Sequence, residues 1–118
     1  MKQLTEQEAR RILAPVPYNQ RMTVGRMLMP SGIHRELLGS LKEIYWFLAP
    51  SSRSLPSVDF NRLADWIQTV LQDRQSAEQI REISAMSACY VDTCKATYDL
   101  LGTRIEEAEG VINATASG

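Results

Sequence analysis

The last third of the chain carries the longest run of regularly spaced apolar and small residues. From Ser76 to Asn113 they recur in alternating steps of three and four, which is the spacing of one helix face. These positions are Ser84, Ser87, Val91, Cys94, Tyr98, Leu101, Ile105, Ala108 and Ile112. One unbroken helix of this span would be about 57 Å long at ~1.5 Å per residue, whereas a globule of this size has a diameter of about 35 Å. We therefore expect the helix to protrude, to break or to pair with another chain.

Gly102 and Thr103 mark the place where this helix has a reason to break. Glycine is common just after helix ends, and Thr103 with Glu106 matches the capping box that begins a helix. The apolar spacing nevertheless continues across Gly102 without a shift, and an interior glycine costs only about 1 kcal/mol relative to alanine. The spacing favours a helix that continues through Gly102, with a break there as the alternative.

A second strong helix is predicted from Ser31, as its N-cap, to about Ala49. The apolar side chains of this segment fall within an arc of about 180° on a helical wheel, which is typical of a helix at the centre of a bundle. They are Ile33, Leu37, Leu38, Leu41, Ile44, Tyr45, Phe47 and Leu48.

Capping signals predict the remaining helices. Thr5 and Glu8 form a capping box ahead of a helix of about two turns, and the segment from Thr23 to Met29 is predicted as a short helical turn. Ser57 is predicted to cap a helix that ends near Gln72. We recognise no alternating run typical of a strand. The predicted fold class is all-α: a small helical bundle with three major helices, one or two short N-terminal helices and a long C-terminal helix.

Length and composition are those of one packed domain. The chain has 118 residues, of which 44% are hydrophobic and 23% are charged. We predict a single helical domain over 1–118, with short helices and a linker at 1–30, a helical hairpin at 31–75 and the long helix at 76–113. Thirteen basic and fourteen acidic residues give a net charge of -1, so no overall positive field favours nucleic acid or an anionic membrane.

Signals for secretion or membrane insertion are missing from the sequence. No segment approaches the ~20 apolar residues of a spanning helix, and the first six residues lack the apolar core of a signal peptide. Cys89 and Cys94 are predicted on different faces of one helix, where they cannot form a disulfide. We therefore expect a cytoplasmic protein with reduced cysteines and no membrane partner.

The sequence also lacks the residues of a recognisable catalytic or metal site. His34 is the only histidine. Ser31 precedes it by three residues, but this serine is explained as a helix cap and no third group orients the pair. One histidine cannot supply the ligand set of a structural zinc or of a carboxylate-bridged metal pair. We expect no enzymatic activity, no catalytic residue, no cofactor and no bound metal.

Trp46 is the most prominent candidate for binding a partner. On the predicted helix it points away from the apolar arc, on a charged face near Arg35 and Lys42. An exposed tryptophan is a typical interface anchor, and a lysine four residues earlier can stack on its ring. The alternative is that a further helix of the same chain covers this face.

By elimination, the sequence predicts a protein–protein interaction module, an adaptor, inhibitor or regulatory subunit, that homodimerises through its C-terminal helix. The residues assigned to interaction are Trp46, Lys42, Arg35, Val91, Tyr98, Leu101, Ile105 and Ile112.

The alternative function is a DNA-binding regulator with a helix-turn-helix. Pro30 to Gly32 would be its turn and Ile33 to Leu41 its recognition helix, with Arg26, His34 and Arg35 facing the DNA. The segment is very apolar, whereas a recognition helix needs a polar and basic side. Nucleic acid is therefore not the expected partner.

Overall fold

The computed structural model describes residues 4–28, 32–50 and 54–116, and this part of the chain combines α-helices with an antiparallel sheet. Its elements are α1 (Glu6–Leu13), a 3-10 turn (Tyr18–Gln20), β1 (Met22–Leu28), β2 (Gly32–Leu38), α2 (Leu41–Phe47), β3 (Ser54–Ser57), α3 (Phe60–Thr69), α4 (Arg74–Met86) and α5 (Tyr90–Ala116). The predicted all-α fold class is therefore wrong, and the fold is α+β.

The sheet has three strands in the order β2-β1-β3, with both neighbours of β1 antiparallel to it. β1 and β2 form a hairpin in which Met22 pairs with Leu38 and Leu28 pairs with Gly32. The inner face of this hairpin packs on the core, because Met22, Val24 and Leu38 are buried. β1 is central, and β2 and β3 are the two edges of the sheet.

The helix predicted from Ser31 to Ala49 is wrong in its first half, because residues 32–38 form β2. The helix starts at Leu41, where the Ser40 hydroxyl caps it by accepting a hydrogen bond from the Glu43 backbone N–H at 3.2 Å. The helical turn predicted near Thr23 is likewise a strand, β1. Cross-strand pairing decides both segments, and no local pattern reports it. The segment 31–75, predicted as a helical hairpin, contains β2, α2, β3 and α3, whereas Met29, Pro30 and Ser31 lie outside the described residues.

Two capped helices match their predictions more closely. The capping box of Thr5 and Glu8 is present at the start of α1, with both hydrogen bonds at 3.1 Å. The helix predicted after Ser57 is α3, although its cap is Asp59, which accepts hydrogen bonds from two backbone N–H groups.

The long C-terminal stripe does break, but not at Gly102. α4 ends at Met86, where the Ser87 hydroxyl donates to the Ile83 carbonyl at 2.7 Å, and α5 begins at Tyr90. The prediction that the helix continues through Gly102 is confirmed, because α5 runs from Tyr90 to Ala116. Its 27 residues correspond to about 40 Å at ~1.5 Å per residue, within the longest dimension of the chain, 52 Å. The helix therefore has room to pack along its own chain, against α1, α2 and α4.

A buried ion pair joins the start of α4 to the middle of α5. The Arg104 guanidinium donates to both carboxylate oxygens of Asp73, at 2.9 and 2.8 Å, and these side chains are 8% and 2% exposed. Asp73 also caps α4 by accepting from the Ser76 backbone N–H and hydroxyl. Burial alone would raise the pKa of Asp73, but the hydrogen bonds from Arg104 and Ser76 outweigh burial and hold this pKa below its ordinary value. The pair therefore stabilises the fold only while Asp73 is ionised.

We expect Asp73→Asn to lower the free energy of unfolding by about 3 to 5 kcal/mol at neutral pH, because asparagine keeps the helix cap but removes the buried counter-charge of Arg104. The half-exposed Glu107, 3.1 Å from Arg104, would be its remaining carboxylate partner. The contribution of a carboxyl group whose pKa is lowered on folding is present above its unfolded pKa of about 3.9 and is lost as the pH falls through the folded value. The difference between wild type and variant should therefore shrink below about pH 4, which urea titrations at several pH values would measure.

Glu6→Gln is the matched control, because it removes one carboxylate charge from an exposed ion pair with Arg10 at 2.8 Å. It should cost less than about 0.5 kcal/mol. Equal losses for Asp73→Asn and Glu6→Gln would contradict the structural role of the buried pair.

Candidate protein-interaction groove

A groove between α2 and α5 brings together residues that lie far apart in the sequence. It encloses a cavity of about 250 Å³ lined by Lys42, Tyr45, Trp46, Gly102, Ile105, Glu106 and Glu109. Three of the residues assigned to interaction from the sequence, Lys42, Trp46 and Ile105, meet here. We refer to these seven residues as the α2–α5 groove.

Trp46 lies at the rim of the α2–α5 groove with 65% of its surface exposed. Its position follows from the phase of α2, which buries Leu41, Ile44 and Phe47 and so turns Trp46 away from the core. Trp66, by contrast, is buried and donates its indole N–H to the Gln20 carbonyl at 2.6 Å. Among the described residues no element covers Trp46.

One lining residue of the groove, Tyr45, stacks on a second aromatic ring outside the lining. Tyr45 from α2 and Tyr98 from α5 lie with ring centroids 4.3 Å apart and planes inclined by 7°. The pKa of Tyr45 is raised above its ordinary value. The causes are the hydrogen bond between Tyr45 and the Tyr98 side chain, the burial of Tyr45, and the negative charges of Glu106 and Asp99. The ring stays neutral and gives the groove a flat apolar base.

Gly102 allows this stack to form. A Cβ atom at this position would lie 2.9 Å from Cε1 of Tyr45, which is closer than real Cβ contacts come. The absence of a side chain therefore lets the Tyr45 ring lie against the backbone of α5. The sequence signalled Gly102 only indirectly, through a helical phase that continues across a glycine.

The groove carries one positive and two negative side chains. The Lys42 ammonium group lies 3.3 Å from a carboxylate oxygen of Glu109, whereas Glu106 is exposed and forms no ion pair among the described residues. No pattern in the sequence indicates that Glu106 and Glu109 lie in a groove beside Trp46. The net charge of these three groups is about -1, with Glu106 free to pair with a cation.

Several residues assigned to interaction belong to the core or lie outside the groove. Leu101 is fully buried and Ile105 is 7% exposed, so both belong to the core of their own chain. Val91, near the start of α5, is 49% exposed, and Ile112 is half-buried. Arg35 is exposed on β2, outside the groove. The apolar stripe of α5 is thus covered within the chain at its middle.

The recognition helix predicted from Ile33 to Leu41 does not form, because the chain is β-strand as far as Leu38. His34 and Arg35 are exposed on this strand. Arg26 lies on the neighbouring strand, where it pairs with Glu36 at 3.2 Å and covers the Phe47 ring at 4.4 Å. The three residues predicted to face DNA therefore do not share a helix face.

Larger cavities and metal clusters add no further candidate. A cavity of about 410 Å³ is an open depression between α4 and α5, and none of the residues assigned to interaction lines it. Its lining consists of Gln79, Glu82, Ile83, Met86, Ser87, Ala96 and Leu100. In residues 4–28, 32–50 and 54–116, no group of three His, Cys, Asp or Glu side chains is placed to hold a metal ion. No helix in the same ranges combines the length and apolar character needed to cross a membrane.

Comparison of the chain with protein-family models, curated proteins and solved structures finds no match. The geometry of the chain itself therefore carries the functional argument.

We expect Gly102→Ala to lower the free energy of unfolding by about 1 to 2 kcal/mol, because the added methyl group displaces Tyr45 and this overpacking outweighs the gain of about 1 kcal/mol in helix propensity. Thermal and urea unfolding would measure the change, and near-ultraviolet circular dichroism would report the disturbed tyrosine pair.

Gly110→Ala provides a control in the same helix. No atom lies within 4 Å of a Cβ built at Gly110, so this substitution should raise stability by about 0.5 to 1 kcal/mol. If both alanines stabilised the protein equally, the close approach of Tyr45 to Gly102 would be wrong.

Proposed function

We propose that this chain is a non-enzymatic protein-interaction module whose α2–α5 groove binds a basic side chain of a partner protein. The observation that carries the proposal is an exposed tryptophan that lines the same groove as an unpaired carboxylate and the ring of Tyr45, which is stacked on Tyr98. Tryptophan is enriched among the residues that dominate binding energy at interfaces. It also offers the best side-chain surface for a cation.

The charge of the groove selects the partner's chemistry. An arginine or lysine that enters beside Trp46 can stack on the indole ring and pair with the Glu106 carboxylate. An acidic side chain would meet the unpaired carboxylate of Glu106 and would be repelled. Lys42 is already neutralised by Glu109 at 3.3 Å, so it does not offset this preference.

Homodimerisation through α5 remains a separate prediction, but fewer of the residues predicted for the dimer contact are accessible on the surface. Leu101 and Ile105 are engaged in the core of their own chain. Tyr98, also predicted at the centre of the dimer, is half-buried and stacks on Tyr45. A symmetric contact along α5 would then centre on Val91 at its start and Ile112 near its end. These residues lie 21 positions apart in the sequence, about 31 Å along a helix, which favours a separate partner over a continuous dimer seam.

The proposed location is the cytoplasm. Cys89 and Cys94 are both free thiols, the first exposed and the second buried. Exposed free thiols persist in compartments that keep cysteines reduced. A role of this chain as an adaptor, as an inhibitor or as a regulatory subunit is equally consistent with the groove, since each of these roles depends on binding another protein.

We expect peptides selected by phage display on the immobilised protein to be enriched in arginine and lysine. A selected basic peptide should bind Trp46→Ala and Glu106→Lys at least about tenfold more weakly than wild type, since both changes remove the groups that hold the cation. Calorimetry would measure the affinities. Trp46→Ala should lower the free energy of unfolding by less than about 1 kcal/mol, because the side chain is largely exposed.

Met86→Ala is the control variant, because Met86 is 86% exposed and lies on α4, outside the groove. It should leave the peptide affinity unchanged. Peptides without basic enrichment, or full binding by Trp46→Ala, would refute the proposal. A wild-type dimer that Trp46→Ala dissociates, detected by sedimentation at tens of micromolar, would replace the foreign partner with a second copy of the chain.

A further inference from the structure

β2 is an edge strand whose outer side has no partner in the described part of the chain. Residues 33–37 are all exposed, so neither face of this strand is covered along its middle. The strand contains no proline, and five consecutive exposed residues leave its backbone accessible. Such an edge is a template for another strand.

The opposite edge of the sheet is closed by contrast. β3 contains Pro56, which cannot donate a ladder hydrogen bond. The Tyr90 hydroxyl from α5 accepts from the Val58 backbone N–H at 2.8 Å and donates to the Pro56 carbonyl at 2.5 Å. Within the described residues, only the β2 edge of this sheet is therefore open to strand addition.

The outer face of β2 presents an arginine between two apolar side chains. Ile33 and Leu37 are 58% and 41% exposed and lie on the same face as Arg35, because side chains alternate along a strand. Arg35 pairs with Gly25 in the β1 register. Since Gly25 has no side chain, Ile33 leans over it, with Cγ2 only 2.9 Å from the position of a Cβ.

Two arginine side chains line a cavity on this face of the sheet. A cavity of about 260 Å³ beside Gly25 is lined by Arg35 and Arg62, among other residues, and neither guanidinium forms an ion pair among the described residues. Asp59 lines the same cavity, but its carboxylate caps α3 by accepting two backbone hydrogen bonds. On the other face of β2, Glu36 is paired with Arg26. A partner strand with acidic side chains would complement this charge.

A second copy of β2 complements the edge poorly. A symmetric antiparallel pair of β2 strands with at least five paired residues must be centred on His34, Arg35 or Glu36. Each choice sets that residue opposite its own copy. Only the pair centred on Arg35 joins Ile33 to Leu37, and this pair holds two arginines side chain to side chain. Like charges directly opposite each other destabilise a sheet, so the register that joins the apolar side chains of two β2 strands is disfavoured.

We infer that β2 binds an extended acidic segment of a partner protein as a fourth strand of the sheet. Backbone hydrogen bonds along the open edge provide the affinity common to strand addition. An acidic side chain opposite Arg35, flanked by apolar side chains opposite Ile33 and Leu37, provides the selectivity. This surface involves other elements than the α2–α5 groove, and the inference does not depend on the proposed function.

The test uses three blocked peptides and the full chain. The probe is Ser-Val-Thr-Asp-Thr-Val-Ser, a palindrome that offers the same pattern in both strand directions. Its first control replaces Asp with Lys, and its second control carries N-methyl groups on alternate backbone amides, which remove ladder donors. Chemical shifts of the backbone amides of residues 32–38, followed by NMR during titration, measure affinity and location.

The Asp peptide should bind at β2 at least about tenfold more tightly than either control, because it alone combines the acidic charge with a complete backbone edge. Arg35→Glu should reverse the preference between the Asp and Lys peptides. Arg74→Glu is the matched control, because it makes the same charge change on an exposed residue of α4. This variant should leave both affinities unchanged.

Equal binding of the Asp peptide and its N-methylated form would show attraction to the arginines without strand addition and would overturn the inference. Binding of none of the peptides at millimolar concentration, or shifts confined to residues outside 32–38, would also overturn it. A dimer that instead forms in the absence of any peptide, with its β2 amides protected from hydrogen exchange, is a further contrary result. It would overturn the inference, because a second copy of the chain would then occupy the edge.

Discussion

The buried ion pair between Asp73 and Arg104 is the contact on which the arrangement of the helices depends. Asp73 ends the turn after α3, caps α4 and receives two hydrogen bonds from the middle of α5. A bidentate pair fixes direction as well as distance, because the planar guanidinium must lie in the plane of the carboxylate. α5 is therefore held both in position along its axis and in rotation about it.

That rotation places the candidate groove. With Arg104 directed to Asp73, and Leu101 and Ala108 buried in the core, the remaining face of the same turns carries Gly102, Glu106 and Glu109 toward α2. The stacked pair of Tyr45 and Tyr98 then forms where the two helices meet. A contact within the core thus determines which side chains of α5 a partner would meet beside Trp46.

The sequence predicts the helices better than the sheet for a physical reason. A capping box and an apolar stripe are local, so α1, α3 and the continuity of α5 through Gly102 can be read from neighbouring residues. The hairpin of β1 and β2 depends on pairing across the sheet. Ile33 and Leu37 are apolar but exposed, and in sequence they extend the true stripe of α2 at helical spacing. The apolar spacing therefore predicted a helix where the chain forms strand β2.

The groove was predictable only in part. The exposure of Trp46 follows from its phase relative to Leu41 and Ile44, and that phase does not depend on where the helix begins. The partners of Trp46 on α5 depend on tertiary packing, so no local pattern could identify Glu106 and Glu109 as its neighbours. Gly102 was indicated indirectly by the sequence, because the helical stripe continues across this glycine. The structure explains the glycine by the close approach of the Tyr45 ring.

A net charge of -1 conceals two surfaces of opposite sign. The α2–α5 groove has an unpaired carboxylate beside an aromatic rim. The cavity beside Gly25, in contrast, is lined by Arg35 of β2 and Arg62 of α3, which form no ion pair among the described residues. The overall charge gives no long-range attraction to either kind of partner, so selection rests on contacts within about one Debye length of each surface. If both proposals hold, a segment that complements one surface is repelled by the other, so the two surfaces would select partners of opposite charge.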